Sequence, residues 1–111
     1  MKKKFYITTP IYYVNDEPHI GTAYTTILAD VISRIQKMQN KEVFFLTGTD
    51  EHGQKVQEAA KKNKTTPQEH VDKIVKRFKK AWSNINIEYS DFIRTTDKRH
   101  KDRVKDILNY L

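Results

Sequence analysis

The sequence predicts an α/β protein: the first part of a doubly wound parallel sheet with flanking helices, left incomplete within this chain. Three observations carry the expectation. Two short segments, 4–9 and 42–47, are rich in β-branched and aromatic residues and read as strands. One long stretch of helical periodicity lies between them. A strand–helix–strand unit of that length sets its strands in parallel, joined by a right-handed crossover.

The first strand is Lys4-Phe5-Tyr6-Ile7-Thr8-Thr9, and Pro10 ends it. A loop is expected through Asn15, Asp16, Glu17 and Pro18. The helix then begins near His19. Ile20, Ala23, Ile27, Val31, Ile35 and Met38 recur three and four residues apart, which marks one buried face. Asp16 or Glu17 supplies an acid near the helix start, Pro18 fits at or just before its first turn, and Asn40 closes it.

The second strand, Glu42 to Thr47, has the apolar centre Val43-Phe44-Phe45-Leu46. A loop from Gly48 to Gly53 and a short helix from Gln54 to Lys62 are expected next. Thr66-Pro67-Gln68-Glu69 is a helix start: Thr66 caps, Pro67 takes the first position and Glu69 completes a capping box. Val71, Ile74, Val75, Phe78, Ala81, Trp82 and Ile85 form the apolar stripe of that helix, with Trp82 read as core rather than cofactor contact. Tyr89 to Thr95 reads as extended or irregular. Thr96 is expected to cap a last helix with Val104, Ile107, Leu108 and Leu111 on one face.

Composition bounds the function. The chain has 111 residues, enough for one domain and a modest core. With 37% apolar and 32% charged residues it belongs with soluble globular proteins. Its apolar runs are too short to cross a bilayer. Met1-Lys2-Lys3-Lys4 imitates the start of a signal peptide, but Thr8, Thr9 and Pro10 interrupt the apolar stretch behind it, so a cytoplasmic location is expected. Without cysteine there is neither a disulfide nor a thiolate zinc site. The net charge of +7 attracts polyanions such as RNA. The lysines are scattered among acidic residues, however, and solvated helix faces explain them more simply.

The ligand site of a doubly wound sheet lies at the C-terminal ends of its strands. Here those ends carry Thr8-Thr9-Pro10-Ile11 and Thr47-Gly48-Thr49-Asp50. The helix start Pro18-His19-Ile20-Gly21-Thr22 offers free N–H groups to an anion, and Gly21 lets a ligand lie against the backbone. His19 is either a phosphate donor or an ordinary surface histidine, and Ile20 is expected to face inward. Neither G-x-G-x-x-G nor a Walker A lysine is present. Asp50 has two readings: acceptor for an ammonium group, or a turn residue bonded to nearby backbone. Asp50, Glu51 and His52 are adjacent and are not expected to converge on a metal.

Taken as blocks, these residues resemble a known family. Thr9-Pro10-Ile11-Tyr12-Tyr13-Val14-Asn15, followed by Pro18-His19-Ile20-Gly21, resembles the signature of class I aminoacyl-tRNA synthetases in their methionyl form. The stretch from Phe45 to Gly53 is similar to the second methionyl block. Phe78-Lys79-Lys80-Ala81-Trp82 and Asp91-Phe92-Ile93-Arg94-Thr95-Thr96 also resemble this family, and the match covers about Phe5 to His100.

The resemblance implies a Rossmann-type catalytic domain of which residues 1–111 are the N-terminal half, with no second domain. It implies a ligase that activates methionine with ATP and magnesium and passes it to tRNA(Met). By the same resemblance His19, Gly21 and Thr22 bind ATP, with His19 and Thr22 catalytic. Pro10, Ile11, Tyr13 and Asp50 bind methionine. Thr22 stands where the family usually has a second histidine, and threonine carries no charge. Nothing here matches the K-M-S-K-S lysine loop, so the chain is expected to need a missing C-terminal half as partner. The alternative is a non-catalytic module that binds nucleotide, tRNA or a partner protein.

Overall fold

The computed structural model describes residues 1–15 and 17–111. In chain order its elements are β1 (Lys4–Thr8), β2 (Tyr12–Tyr13), α1 (Ile20–Met38), β3 (Glu42–Asp50), α2 (Gln54–Lys62), α3 (Pro67–Asn84), β4 (Asp91–Arg94) and α4 (Lys98–Tyr110). All the pairings are parallel and all involve β3.

β3 is paired along both edges. β1 runs beside it from Lys4 opposite Glu42 to Thr8 opposite Leu46. β2 pairs Tyr12 with Thr49 and Tyr13 with Asp50, and β4 runs from Asp91 opposite Leu46 to Arg94 opposite Thr49. Leu46 faces both Thr8 and Asp91, and Thr49 faces both Tyr12 and Arg94, so β1 and β2 share one edge while β4 takes the other. The break between β1 and β2 falls at Pro10, which has no N–H to give a ladder. Thr9 spans it, with its N–H on the Leu46 carbonyl at 3.1 Å and its hydroxyl 2.7 Å from that of Thr47.

The loop expected from Gly48 is therefore strand as far as Asp50, because both its edges are occupied. The loop expected after Pro10 contains β2. Gly48 is required here: a Cβ at this position would lie 1.9 Å from the Ile93 carbonyl oxygen. The extended stretch before α4 becomes strand only over Asp91–Arg94.

Helix boundaries follow local chemistry. α3 has the expected capping box: the Thr66 hydroxyl accepts from the Glu69 N–H at 3.2 Å, and the Glu69 carboxylate from the Thr66 N–H at 3.1 Å. Asn40 adopts a left-handed φ of 63° just past α1, as a helix-closing residue does. The cap position of α4 is Asp97 rather than Thr96, whose hydroxyl instead donates to Glu51 at 2.9 Å.

The core lies between α3, α2 and the sheet. Val71, Ile74, Val75, Phe78 and Trp82 of α3 pack with Tyr12, Val14, Val56 and Phe92. Trp82 is 1% exposed, in edge contact with Phe78. Ile85 stays at the surface.

The apolar face expected to bury α1 does not do so within this chain. Ile20 is 88% exposed rather than inward-facing, and Ile27, Val31, Ile35 and Met38 are exposed with it. The buried positions are Thr26, Ala29, Asp30 and Ser33. Thr26 and Asp30 find polar partners. Thr26 Oγ1 lies 2.9 Å from the Tyr12 hydroxyl, and Asp30 accepts from Arg34 Nε at 2.7 Å and from the Glu88 N–H at 2.9 Å. Helical periodicity marks a face as apolar without saying what covers it. The stripe of α4 is exposed in the same way.

Replacing Gly48 by alanine should force β4 away from β3 and destabilise the fold by about 3 kcal/mol. Urea unfolding of the two chains is the measurement; equal midpoints would show that the ladder has room for a methyl group.

Candidate active site

The C-terminal ends of the strands place two hollows next to each other. One, of about 490 Å³, is lined by Pro10, Ile11, Tyr12, Tyr13, Asn15, Glu17, His19, Thr22 and Phe78. The other, of about 630 Å³, is lined by Tyr13, Asn15, Asp50, His52, Gly53, Gln54, Lys55, Val56 and Glu58. Tyr13 and Asn15 border both. His19 and Asp50 thus lie in adjoining hollows rather than in one cleft, and Gly21 lines neither.

Strand alternation explains the two tyrosines. Tyr12 points into the core and stacks on Phe78 at a centroid distance of 6.1 Å, while Tyr13 is 68% exposed at the boundary of the hollows. Pro10 and Ile11 sit in the break between β1 and β2, where the backbone has left the ladder; Pro10 has no N–H, and its carbonyl accepts from Thr9 Oγ1 at 2.8 Å.

His19 is the N-cap of α1. Its Nδ1 accepts from the Gly21 N–H at 3.0 Å. An accepting Nδ1 leaves Nε2 as the donor of the neutral ring. Gly21 makes room for this conformation, since a Cβ there would lie 2.9 Å from His19 Cε1. Thr22 binds the same turn: its hydroxyl accepts from the His19 N–H at 3.1 Å and donates to the His19 carbonyl at 2.8 Å. One of the helix-start amides expected for an anion is therefore already occupied by the histidine ring, and the Thr22 hydroxyl is committed to the backbone.

Asp50 is half-buried at the end of β3. Its carboxylate forms no hydrogen bond or ion pair among the described residues. The turn reading, with Asp50 bonded to nearby backbone, does not describe this geometry. Among the described residues no group of three potential ligands is arranged to hold a metal ion.

The adjacent residue has the opposite environment. The Glu51 side chain is fully buried and accepts from Thr49 Oγ1 (2.6 Å), Thr96 Oγ1 (2.9 Å), Arg94 Nε (2.9 Å to one oxygen) and Arg94 Nη2 (2.7 Å). Arg94 Nη2 also reaches Asp72 on α3 at 2.6 Å. Backbone contacts accompany these. The Glu51 N–H donates to Thr95 Oγ1 at 2.7 Å, the Thr95 N–H to the Thr49 carbonyl at 3.2 Å, and His52 Nε2 lies 3.2 Å from the Thr95 carbonyl oxygen. Sequence reasoning gave Glu51 and Arg94 no individual role. The available signal was period two: in an extended chain Asp50 and Glu51 must point apart.

Glu51 first, and then Asp72, hold the Arg94 guanidinium above its ordinary pKa, and Arg94 in turn lowers that of Asp72. Arg99 lowers that of Asp91 likewise. A carboxylate with a depressed folded-state pKa stabilises the fold above its unfolded pKa and loses that contribution as pH falls through the folded one. Stability should therefore be level above about pH 4 and decline below it. Asp72→Asn should make the decline shallower, which urea midpoints measured across that range will check.

The chain folds as class I aminoacyl-tRNA synthetases do: a parallel sheet whose first helix opens on a histidine and a glycine at the ligand-binding edge. The family model described as "tRNA synthetases class I (M)" matches residues 5–111, and the chain belongs to that family. Methionine–tRNA ligase of Fusobacterium nucleatum is 57% identical over 109 residues, 98% of this chain and 17% of that protein. The corresponding ligase of Campylobacter jejuni is 59% identical over 100 residues, 90% of this chain and 16% of that protein. Methionyl-tRNA synthetase of Mycobacterium tuberculosis, solved in complex with methionyl-adenylate, superposes with a TM-score of 0.94 at 38% identity, over 96% of this chain and 21% of that one. The chain spans about a sixth of the length of the curated relatives it matches.

Proposed function

We propose that this chain is the methionine- and ATP-facing part of a methionine–tRNA ligase. The observation that carries the reading is the unpartnered Asp50 carboxylate, at a hollow that adjoins the one holding His19. A carboxylate with no partner of its own can take the ammonium group of an amino acid. Tyr13, at the border, is placed to cover the methionine side chain, and Pro10 and Ile11 offer backbone beside it.

In the proposed reaction the methionine carboxylate attacks the α-phosphate of ATP. Pyrophosphate leaves and methionyl-adenylate forms. The terminal ribose hydroxyl of tRNA(Met) then attacks the methionyl carbonyl, and AMP leaves. Magnesium accompanies ATP as part of the substrate. His19, with Nε2 available to donate, meets a phosphate oxygen as charge gathers there. Gly21 permits that ring position, and Thr22 acts by fixing the first turn of α1. No side-chain nucleophile is needed, since positioning and charge stabilisation carry the chemistry.

The same reading assigns the activity to the cytoplasm and makes it depend on the rest of the enzyme, including a lysine loop that acts on the triphosphate. The exposed apolar face of α1 is where further protein would pack. The non-catalytic alternative predicts salt-sensitive tRNA binding without ATP or methionine binding.

Methionine-dependent ATP–pyrophosphate exchange should appear when this chain is joined to the remainder of such an enzyme. Asp50→Ala should weaken methionine binding about a hundredfold with the fold intact. His19→Ala should slow adenylate formation by about two to three orders of magnitude while leaving methionine affinity unchanged. Wild-type methionine affinity in the Asp50 variant would remove that residue from the site, and an unchanged rate in the other would return His19 to the surface histidines.

A further inference from the structure

We infer that Arg94 is a positioning residue for ammonium recognition: by gripping Glu51 it fixes the aim of the neighbouring Asp50 carboxylate. The inference rests on the reading of Asp50 as the ammonium acceptor and extends it to a residue outside both hollows.

Among the described residues Asp50 has no side-chain bond to hold it, so its direction is set by the backbone around it. That backbone is tied down on the other side of the strand. The fork of Arg94 closes on Glu51 through Nε at 2.9 Å and Nη2 at 2.7 Å, and Nη2 continues to Asp72 on α3 at 2.6 Å. The end of β3 is thereby locked to the end of β4 and to the helix behind it. The Glu51 N–H on the Thr95 hydroxyl and the Thr95 N–H on the Thr49 carbonyl add to the lock on both sides of Asp50.

Stability alone is a weak reason for this arrangement. A buried ion pair is commonly no better than apolar side chains of the same volume. What a planar fork supplies is a defined geometry. A second effect concerns charge. Glu51 and Asp50 are adjacent acids, and Arg94 satisfies one of them. Glu51 therefore does not compete for the incoming cation; of the acids lining the hollow, Glu58 accepts from Gln54 Nε2 at 2.8 Å, which leaves Asp50 to bind it.

The test compares methionine with N-acetylmethionine, which lacks the ammonium charge, on this chain joined to the remainder of such an enzyme. Ligand-observed NMR gives the affinities of the unsubstituted chain, Asp50→Ala, Arg94→Met and Arg94→Lys. Arg94→Met should weaken methionine by about tenfold or more and leave N-acetylmethionine unchanged, so that the preference for the free ammonium collapses. Arg94→Lys keeps the charge without the fork and should fall between. A residue that merely props the fold would lower the urea midpoint and leave the preference intact, which would overturn the inference. If Arg94→Met does not fold, a full preference in Arg94→Lys overturns it equally. Absence of any preference in the unsubstituted chain would sink the Asp50 reading itself. A preference lost in Asp50→Ala but kept in both Arg94 variants would sink only the role given to Arg94.

Discussion

Everything in this molecule is organised by one strand that is bonded on both sides. β3 takes β1 and β2 along one edge and β4 along the other, and each element that bears on the site is measured from it. The requirement shows most plainly at Gly48, where the backbone of β4 passes so close that no side chain fits. β2, β3 and β4 finish at nearly the same level, with Tyr13 opposite Asp50 and Arg94 opposite Thr49. The hollows form where they finish.

Two acids at the end of β3 illustrate how a strand divides labour. Asp50 and Glu51 are neighbours in sequence and share a charge, yet among the described residues one is half-buried without a partner and the other is sealed in a cluster of donors. The extended backbone turns them apart, and the donors around Glu51 hold it there. The histidine of the adjoining hollow shows a comparable economy: His19, Gly21 and Thr22 build the start of a helix, with Nδ1 of the ring as the nitrogen that caps it.

Much of this was legible in the sequence where a local rule decides. The capping box at Thr66 and Glu69, the extent of α2, the core position of Trp82 and the parallel order of the main strands all follow from spacing and residue type. The legible part ended where a distant residue decides. Nothing local to Gly48-Thr49-Asp50 announces a strand, since its pairing depends on Tyr12 and Arg94. Thr96 has the residue type of a cap, but Glu51 claims its hydroxyl. The stripe of α1 was correctly apolar and wrongly taken as buried, because the partner of a helix face is not written in its period. At the site, residue type and resemblance selected Pro10, Ile11, Tyr13, His19, Thr22 and Asp50, which line the two hollows, but could not show that there are two.

The run Met1-Lys2-Lys3-Lys4 reads differently once β1 is seen beside β3. Among the described residues β1 is hydrogen-bonded along one edge only, and an edge in that state is a template for a further strand, whether from the same protein or from another copy. A block of like charge at its entrance opposes that pairing in one direction, since two such edges laid parallel would bring their lysines together. That protection is electrostatic and weakens as added salt shortens the Debye length. Wherever that edge stands uncovered, resistance to association should fall as ionic strength rises.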